Sequence, residues 1–285
     1  MIKSMTGYGK SILQLPSKKI TIEIKSLNSK NLDLHSRVPS SYREKELEMR
    51  KKVSMSLVRG KVDFNLYVEI TGEETNTKIN ETIVNQYMKQ LSNVVNGDDI
   101  ELLKMAVQMP DSLLTERKEI EETEFKNISE TIDQALISIN NYRVDEGKIL
   151  EDDFIMRSQT ISELLEKVIT IDSTRIETVK ERLRKAITEL KEAVDENRFE
   201  QELIYYLEKY DITEEKIRLE NHLNYFNKAI KSEVSNGKKL GFICQEIGRE
   251  INTIGSKAND APMQQLVVQM KDELEKIKEQ ALNVL

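Results

Sequence analysis

The chain has one cysteine, no tryptophan, four prolines and ten glycines in 285 residues. The lone thiol, Cys244, excludes an intrachain disulfide, and one thiol with two histidines is too few ligands for a structural Cys/His zinc site. A reducing compartment is expected. No apolar run approaches the roughly 20 residues that span a bilayer, and the polar or small residues of Met1–Tyr8 provide no apolar centre for a secretory signal. The expected location is the cytoplasm, with no membrane partner. The phosphate loops GxxxxGK[ST] and GxGxxG, the zinc motif HExxH and the nucleophile elbow GxSxG are missing too. Few Gly and Pro, no Trp and 33% charged residues favour long solvent-exposed helices over an all-β design.

The charge is unevenly spread. Residues 1–70 carry 14 Lys/Arg against 7 Asp/Glu, residues 71–195 carry 16 against 27, and residues 196–285 carry 13 against 16. A net of −7 argues against a polyanionic partner, yet a basic segment on an acidic chain can still bind phosphates, which respond to local potential. Ordinary surface asymmetry is the competing explanation. Arg37, Arg43, Lys45, Arg50, Lys51, Lys52, Arg59 and Lys61 supply the excess, with Arg43 and Arg50 seven apart on one predicted helix face.

Apolar periodicity divides the chain. Val62, Phe64, Leu66, Val68 and Ile70 alternate with polar partners as a half-buried strand, and Ile20, Ile22 and Ile24 repeat the pattern. Segments 11–15 and 31–38 complete a small antiparallel sheet. A helix from about Tyr42 to Val58, capped by Ser40 or Ser41, stacks Met49, Val53 and Leu57. Ile83 to Val95 forms a helical stripe that Asn96-Gly97-Asp98 should end through a left-handed glycine cap. From Phe125 to about Glu196 almost nothing breaks a helix, so very long helices are predicted, hiding their stripe on a partner of the same or another chain. Three further helices follow, at about 213–235, 240–253 and 263–282. The predicted class is α+β, with an N-terminal α+β basic domain over 1–75, an acidic long-helical region over 76–195 and a C-terminal helical domain over 196–285.

Chemistry concentrates in that last part. Ile243, Ile247, Ile251 and Ile254 mark one buried helix face, and Glu246 and Glu250 follow at i, i+4 on its flank with Gln245 and Arg249 beside them. Two such carboxylates can hold a divalent cation through hard oxygens, or can simply be solvated. Asn252-Thr253-Ile254-Gly255-Ser256-Lys257 adds small polar groups that packing does not require. On the preceding helix, Glu215, Arg218 and His222 run beside the apolar line Leu219, Leu223, Phe226 and Ile230. An imidazole there can act as acid, base or ligand, or can be a packing edge. Asp211, Glu214 and Glu215 also suit a helix N-terminus as caps and dipole partners. His35 has no carboxylate setting, and Cys244 reads as a small core residue.

Several runs are more specific. Met1-Ile2-Lys3-Ser4-Met5-Thr6-Gly7-Tyr8-Gly9, Leu27-Asn28-Ser29-Lys30-Asn31-Leu32-Asp33 with Arg37-Val38-Pro39, and Arg59-Gly60-Lys61-Val62 resemble the N-terminal domain of the YicC/YloC family. So do Asn197-Arg198-Phe199-Glu200-Gln201-Glu202-Leu203, Arg218-Leu219 with His222, Gly237-Lys238-Lys239-Leu240, and above all Gln245-Glu246-Ile247-Gly248-Arg249-Glu250-Ile251-Asn252-Thr253-Ile254-Gly255-Ser256-Lys257 in the C-terminal part. Both ends of the chain match, around a variable acidic middle. The resemblance implies a bacterial endoribonuclease of RNA turnover or small-RNA decay, assisted by a divalent metal (Mg or Mn) and assembled as an oligomer, a hexamer foremost.

On that resemblance Glu246, Glu250 and Glu215 are the expected metal ligands and His222 the general acid or base, with Arg249, Arg218 and Lys257 on phosphate oxygens. Arg37, Arg50, Lys51, Arg59 and Lys61 are expected to hold the RNA backbone, and His35 is structural or RNA-facing. A non-catalytic oligomeric RNA-binding adaptor is the alternative, and a purely structural helical oligomer a third. Gly241 stands where the family usually has Asp, Lys278 replaces an arginine, and Ala281-Leu282-Asn283-Val284-Leu285 departs from the family's usual ending. If that Asp is a ligand, this member is either weaker or uses a different carboxylate.

Overall fold

A computed structural model describes residues 2–71, 77–95, 97–115, 120–189, 196–232 and 234–285. The fold is α+β. Alternating apolar residues build a four-stranded sheet from β1 (Gly7–Gln14), β2 (Lys18–Leu27), β3 (Leu32–Arg37) and β4 (Gly60–Ile70), in the order β1-β2-β4-β3. The pairs β1/β2 and β2/β4 are antiparallel, with Ile24 opposite Phe64 and Ile22 opposite Leu66. The sheet is mixed, however, and not antiparallel throughout: β3 lies parallel to β4. Between these two strands the chain runs through a 3-10 turn, Ser40–Lys45, and the helix α1, Glu46–Ser56, and such a crossover returns the chain in its original direction.

The helix predicted from Tyr42 therefore starts later. Neither Ser40 nor Ser41 caps it, and Tyr42 is buried in the 3-10 turn with its hydroxyl donating to Glu124 at 2.6 Å. Gly60 opens β4 at φ +126°, a conformation closed to side-chain-bearing residues. The next helix, α2 (Glu81–Val94), begins where the Asn80 side chain accepts from the Ile83 amide. It ends at Val95 in an extended conformation, and Gly97 does not take the left-handed form expected of a cap; Asn96 lies outside the described residues. Helix α3 (Asp99–Val107) packs on α2, and β5 (Thr77–Ile79) pairs with β6 (Leu113–Thr115) to finish this lobe.

One helix, α4 (Glu122–Glu189, 68 residues), replaces the long helices expected there. At 1.5 Å per residue it is about 100 Å long. Its first half covers the inner face of the sheet, where Ile128, Ile132, Ala135 and Ile139 meet Ile20, Ile22, Ile24, Val62 and Phe64. Its second half enters another core through Phe154, Ile161, Leu165 and Val168. That core is completed by α6 (Thr213–Ile230), α7 (Gly237–Ala258) and α8 (Ala261–Ala281), with α5 (Glu196–Tyr210) leading in. The side chains of residues 197–199 and all of residues 190–195 lie outside the described residues.

Capping explains the C-terminal boundaries. The Asn236 side chain accepts from the Lys239 amide at the start of α7, and Asp260 accepts from Met263 at the start of α8. Pro262 lies inside the first turn of α8, where a missing amide costs nothing. Among the described residues, no helix is long and apolar enough to cross a membrane.

The two ends of the chain meet. Ser4 bridges Val284, the Met5 amide donates to Asn283, and the Leu285 amide donates to the carbonyl of Lys3 at 2.9 Å. The C-terminal tail is thus one strand of a short ladder, and Ile2 is buried in the C-terminal core.

Candidate active site at the α6/α7 crossing

Helices α6 and α7 run antiparallel, and two contacts set their register. Near one end Lys257 pairs with Glu215 at 2.7 Å, and near the other the Lys239 ammonium lies 5.0 Å from the Tyr225 ring centroid. Seven residues make about two helical turns and return a side chain to nearly the same flank. Two turns on from Glu215 is His222, and two turns back from Lys257 is Glu250. These two therefore stand on facing flanks of the helix pair, at about one level. His222 is half-buried, and Glu250 is 5% exposed.

Neither His222 nor Glu250 makes a hydrogen bond or ion pair among the described residues. Glu215 is buried as well: one carboxylate oxygen holds Lys257, while the other, Oε2, is buried without a partner. Buried polar groups almost always find partners in a folded chain, because leaving one unmade costs about 1–3 kcal/mol. The unpartnered Oε2 of Glu215, with the unpaired Glu250 on the same helix interface, is therefore a signal of something that binds there.

The other expected residues lie further out. Glu246 and Arg249 are exposed and 3.9 Å apart, and Arg218 is bound to Glu214 on its own helix. Lys257 is committed to Glu215. Among the described residues, no group of three or more His, Cys, Asp or Glu side chains converges as a metal cage. The expected trio of Glu246, Glu250 and Glu215 is thus not drawn together by this chain alone. The donors fit a cation that takes one or two carboxylates and completes its shell with water and phosphate oxygens, the habit of Mg2+.

Beneath the crossing is a charged clamp that periodicity did not single out. Arg175 of α4 donates to the carbonyls of Lys257 and Ala258, at 2.9 and 2.7 Å, and to that of Tyr210. Those are terminal carbonyls of α7 and α5, which no intrahelical amide serves. Asp172 pairs with Arg175 at 2.6 Å and with Lys216 at 2.7 Å, and Asp172 and Arg175 are both buried. Asp211 borders this network; its bonds from Thr213, then the nearby Lys257 and Lys216, hold its carboxyl below the usual range. The clamp ties α4, α5, α6 and α7 at the end where Lys257 sits.

The basic N-terminal residues do not share one face. Arg37 and Lys61 alternate outward on β3 and β4, whereas α1 covers the opposite, inner face of the sheet. Lys51 is exposed on α1, and Arg50 is tied down there, donating to Ser36 Oγ at 2.8 Å and the Leu34 carbonyl at 3.0 Å. Arg59 donates to the carbonyl of Ser29 at 3.0 Å. His35 lies exposed on the outer face with Arg37. Cys244 is inert, since burial pushes its thiol up to about 12.

Gly241 is half-buried in α7, but a Cβ added there meets nothing within 4 Å. Packing does not demand this glycine, and a Cβ fits there freely. Gly241→Ala should therefore stabilise the protein by about 0.5–1 kcal/mol, the ordinary helix-interior gain. Thermal denaturation should show a rise of roughly 2–4 °C per kcal/mol; a fall means the position is packed in a way this geometry does not show.

Sequence comparison agrees with the motifs. The family model described as endoribonuclease YicC-like, N-terminal region, matches residues 2–152, and that for the endoribonuclease YicC-like C-terminal region matches 168–285. A protein of Clostridioides difficile named probable endoribonuclease YicC is 33% identical over 293 residues, with all of both chains covered. Its namesake in Haemophilus influenzae is 27% identical over 288 residues, again with full coverage of both. With both regions matched and the α6/α7 motif in place, the chain belongs to the YicC-like endoribonuclease family.

Proposed function

We propose that this chain is an endoribonuclease that cleaves RNA phosphodiester bonds at the α6/α7 crossing, in RNA turnover or small-RNA decay. The observation that carries this reading is Glu250, a buried carboxylate with no partner, set opposite a half-buried histidine on an interface rimmed by arginines. His222 moves the proton, at an imidazole nitrogen, that must leave the attacking oxygen or reach the departing 5′-oxygen. Arg249 and Arg218 bind the non-bridging phosphate oxygens, where charge grows in the transition state. Lys257 holds Glu215 and, through it, the level of α6 against α7. Bound at Glu250 and Glu246, a divalent cation (Mg2+ or Mn2+) supplies further charge neutralisation at the phosphate.

The test is cleavage of defined RNAs by protein from a nuclease-depleted host, with and without added Mg2+ or Mn2+. Metal-dependent cleavage within the RNA is the expected result. RNA binding without metal-dependent cleavage overturns the reading and leaves an adaptor. Product ends then separate attack by the ribose 2′-hydroxyl, which leaves a cyclic phosphate, from attack by water, which leaves a 5′-phosphate.

Backbone contacts on the outer sheet face make a second prediction. Replacing Arg37 and Lys61 together by Ala should weaken binding of unrelated RNAs alike. It should also flatten the salt dependence by about 0.7 log units per log unit of salt for each phosphate no longer neutralised. Unaltered affinity across a salt series removes these two residues from the RNA path.

A further inference from the structure

Phenylalanine is buried wherever packing can take it, and Phe64, Phe154 and Phe226 are. Phe242 is the exception: it stands 66% exposed on α7, the only exposed phenylalanine among the described residues. Lys239 is its neighbour one turn back and caps the ring of Tyr225, which is itself 48% exposed. Two open aromatic rings thus lie near one lysine at the end of the α6/α7 hairpin, the ammonium over Tyr225 and Phe242 one turn on along α7. The surrounding charge is out of keeping with the acidic chain: residues 224–242 carry four lysines and one acidic residue.

The two rows lead to the proposed centre. On α7, Phe242 is followed at i+4 by Glu246. On α6, Tyr225 is preceded at i−3 by His222. Four residues of helix rise about 6 Å, close to the step between neighbouring nucleotides of an extended strand. Aromatic faces beside lysines are how proteins take unpaired bases without reading much sequence, the ring stacking the base and the ammonium holding its phosphate.

We infer that Phe242, Tyr225 and Lys239 form a base-stacking subsite for single-stranded RNA, holding a nucleotide next to the bond that is cut. This rests on the proposed endoribonuclease reading for its position, but the binding itself is independent of cleavage. A duplex cannot use the subsite, because its bases are already stacked. The enzyme should therefore prefer unpaired segments for a reason located at this tip, whereas phosphate contacts elsewhere bind either form.

The test uses the full-length protein and an oligouridylate with 2′-O-methyl riboses, which resists attack by the sugar hydroxyl, alongside copies carrying one abasic nucleotide at each position in turn. For the parent protein, one abasic position should weaken binding about ten-fold or more, as expected when one stack is removed. Phe242→Ala should weaken binding of the intact oligomer by a similar factor and become insensitive to the abasic position, and Phe242→Tyr should restore both. Tyr225→Leu and Lys239→Met should each act in the same direction.

Equal affinity of Phe242→Ala and parent overturns the inference, as does an abasic effect that survives the substitution. A change only in mass by sedimentation, with RNA binding intact, also overturns it and makes the face a contact with a second copy. Cleavage of ordinary RNA is measured in parallel. If the parent protein binds with the abasic signature but never cleaves, the endoribonuclease reading fails while the subsite stands.

Discussion

Replacing Gly147 by Ala should cost about 3 kcal/mol, although the same change in an open helix interior is worth about 1 kcal/mol in the other direction. Gly147 is near the middle of α4, and a Cβ there would lie 2.1 Å from the carbonyl oxygen of Ile2 and 2.9 Å from the Cα of Lys3. Both are backbone, so no side chain can swing aside. The segment pressed against it is held on every side. The Ser4 amide donates to the carbonyl of Arg143, Thr6 Oγ1 donates to Glu146, and Ile2 is bonded to Glu151 and buried in the C-terminal core. Moving it would also strain the ladder with residues 283–285. Thermal denaturation should show a drop of roughly 6–12 °C. A rise like that expected for Gly241→Ala would mean that the N-terminal segment yields freely, and that the junction of the two chain ends contributes little.

The same stripe of α4 shows what could be read beforehand and what could not. Ile128, Ile132, Ala135 and Ile139 follow helical spacing, and the series resumes at Phe154, Ile161, Leu165 and Val168. A long helix was legible from that alone. The interruptions are Arg143, Gly147, Ser158, Asp172 and Arg175, each where an apolar residue is due. They were a signal: a charge placed in a buried stripe must meet another segment. Arg143 is buried with Nη2 donating to the carbonyl of Met5 at 3.2 Å and to Ser26, its Nε is unpartnered, and burial lowers its pKa. Which segments these groups would meet depends on tertiary contacts distant in sequence, Arg143 with Met5 across 138 positions and Arg175 with Lys257 across 82, and no local pattern encodes those.

The sheet was legible through the alternation of β2 and β4, but the direction of β3 depends on the crossover, which strand periodicity does not register. The basic stretch misled for a similar reason. Lys61 and Arg37 are continuous with Arg50 and Lys51 along the chain, yet a strand alternates its sides and α1 lies over the other face. At the candidate site, the stripes put His222 and Glu250 on helix flanks correctly. That the flanks face each other follows from the short turn between α6 and α7 and from Lys257 meeting Glu215, a contact 42 residues apart in sequence.

Glu250→Gln should reduce metal-dependent cleavage by a factor of about 100 or more while keeping or raising the thermal midpoint. An amide keeps the shape of the carboxylate and removes its charge. The charge is what a cation or a neighbouring imidazolium needs, and loss of one electrostatic group in an active site typically costs 10²–10³ in rate. Stability should move the other way. Glu250 is 5% exposed and has no ion-pair partner among the described residues; its oxygens still reach water at the rim, so the charge is only partly solvated, and neutralising it relieves that part of the cost. Opposite signs for activity and stability are expected where a residue is retained for function at the expense of folding.

Glu215→Gln is the contrasting case. It removes the partner of Lys257 at 2.7 Å and leaves an ammonium beside a neutral amide, so it should lower stability along with any loss of rate. Titration of Mg2+ against rate adds a further reading, since loss of a ligand should shift the midpoint to higher metal. Cleavage by Glu250→Gln at the parent rate and with the parent metal midpoint would remove Glu250 from the site. The partnerless carboxylate at the α6/α7 interface would then have to be explained by a contact with a second copy of the chain.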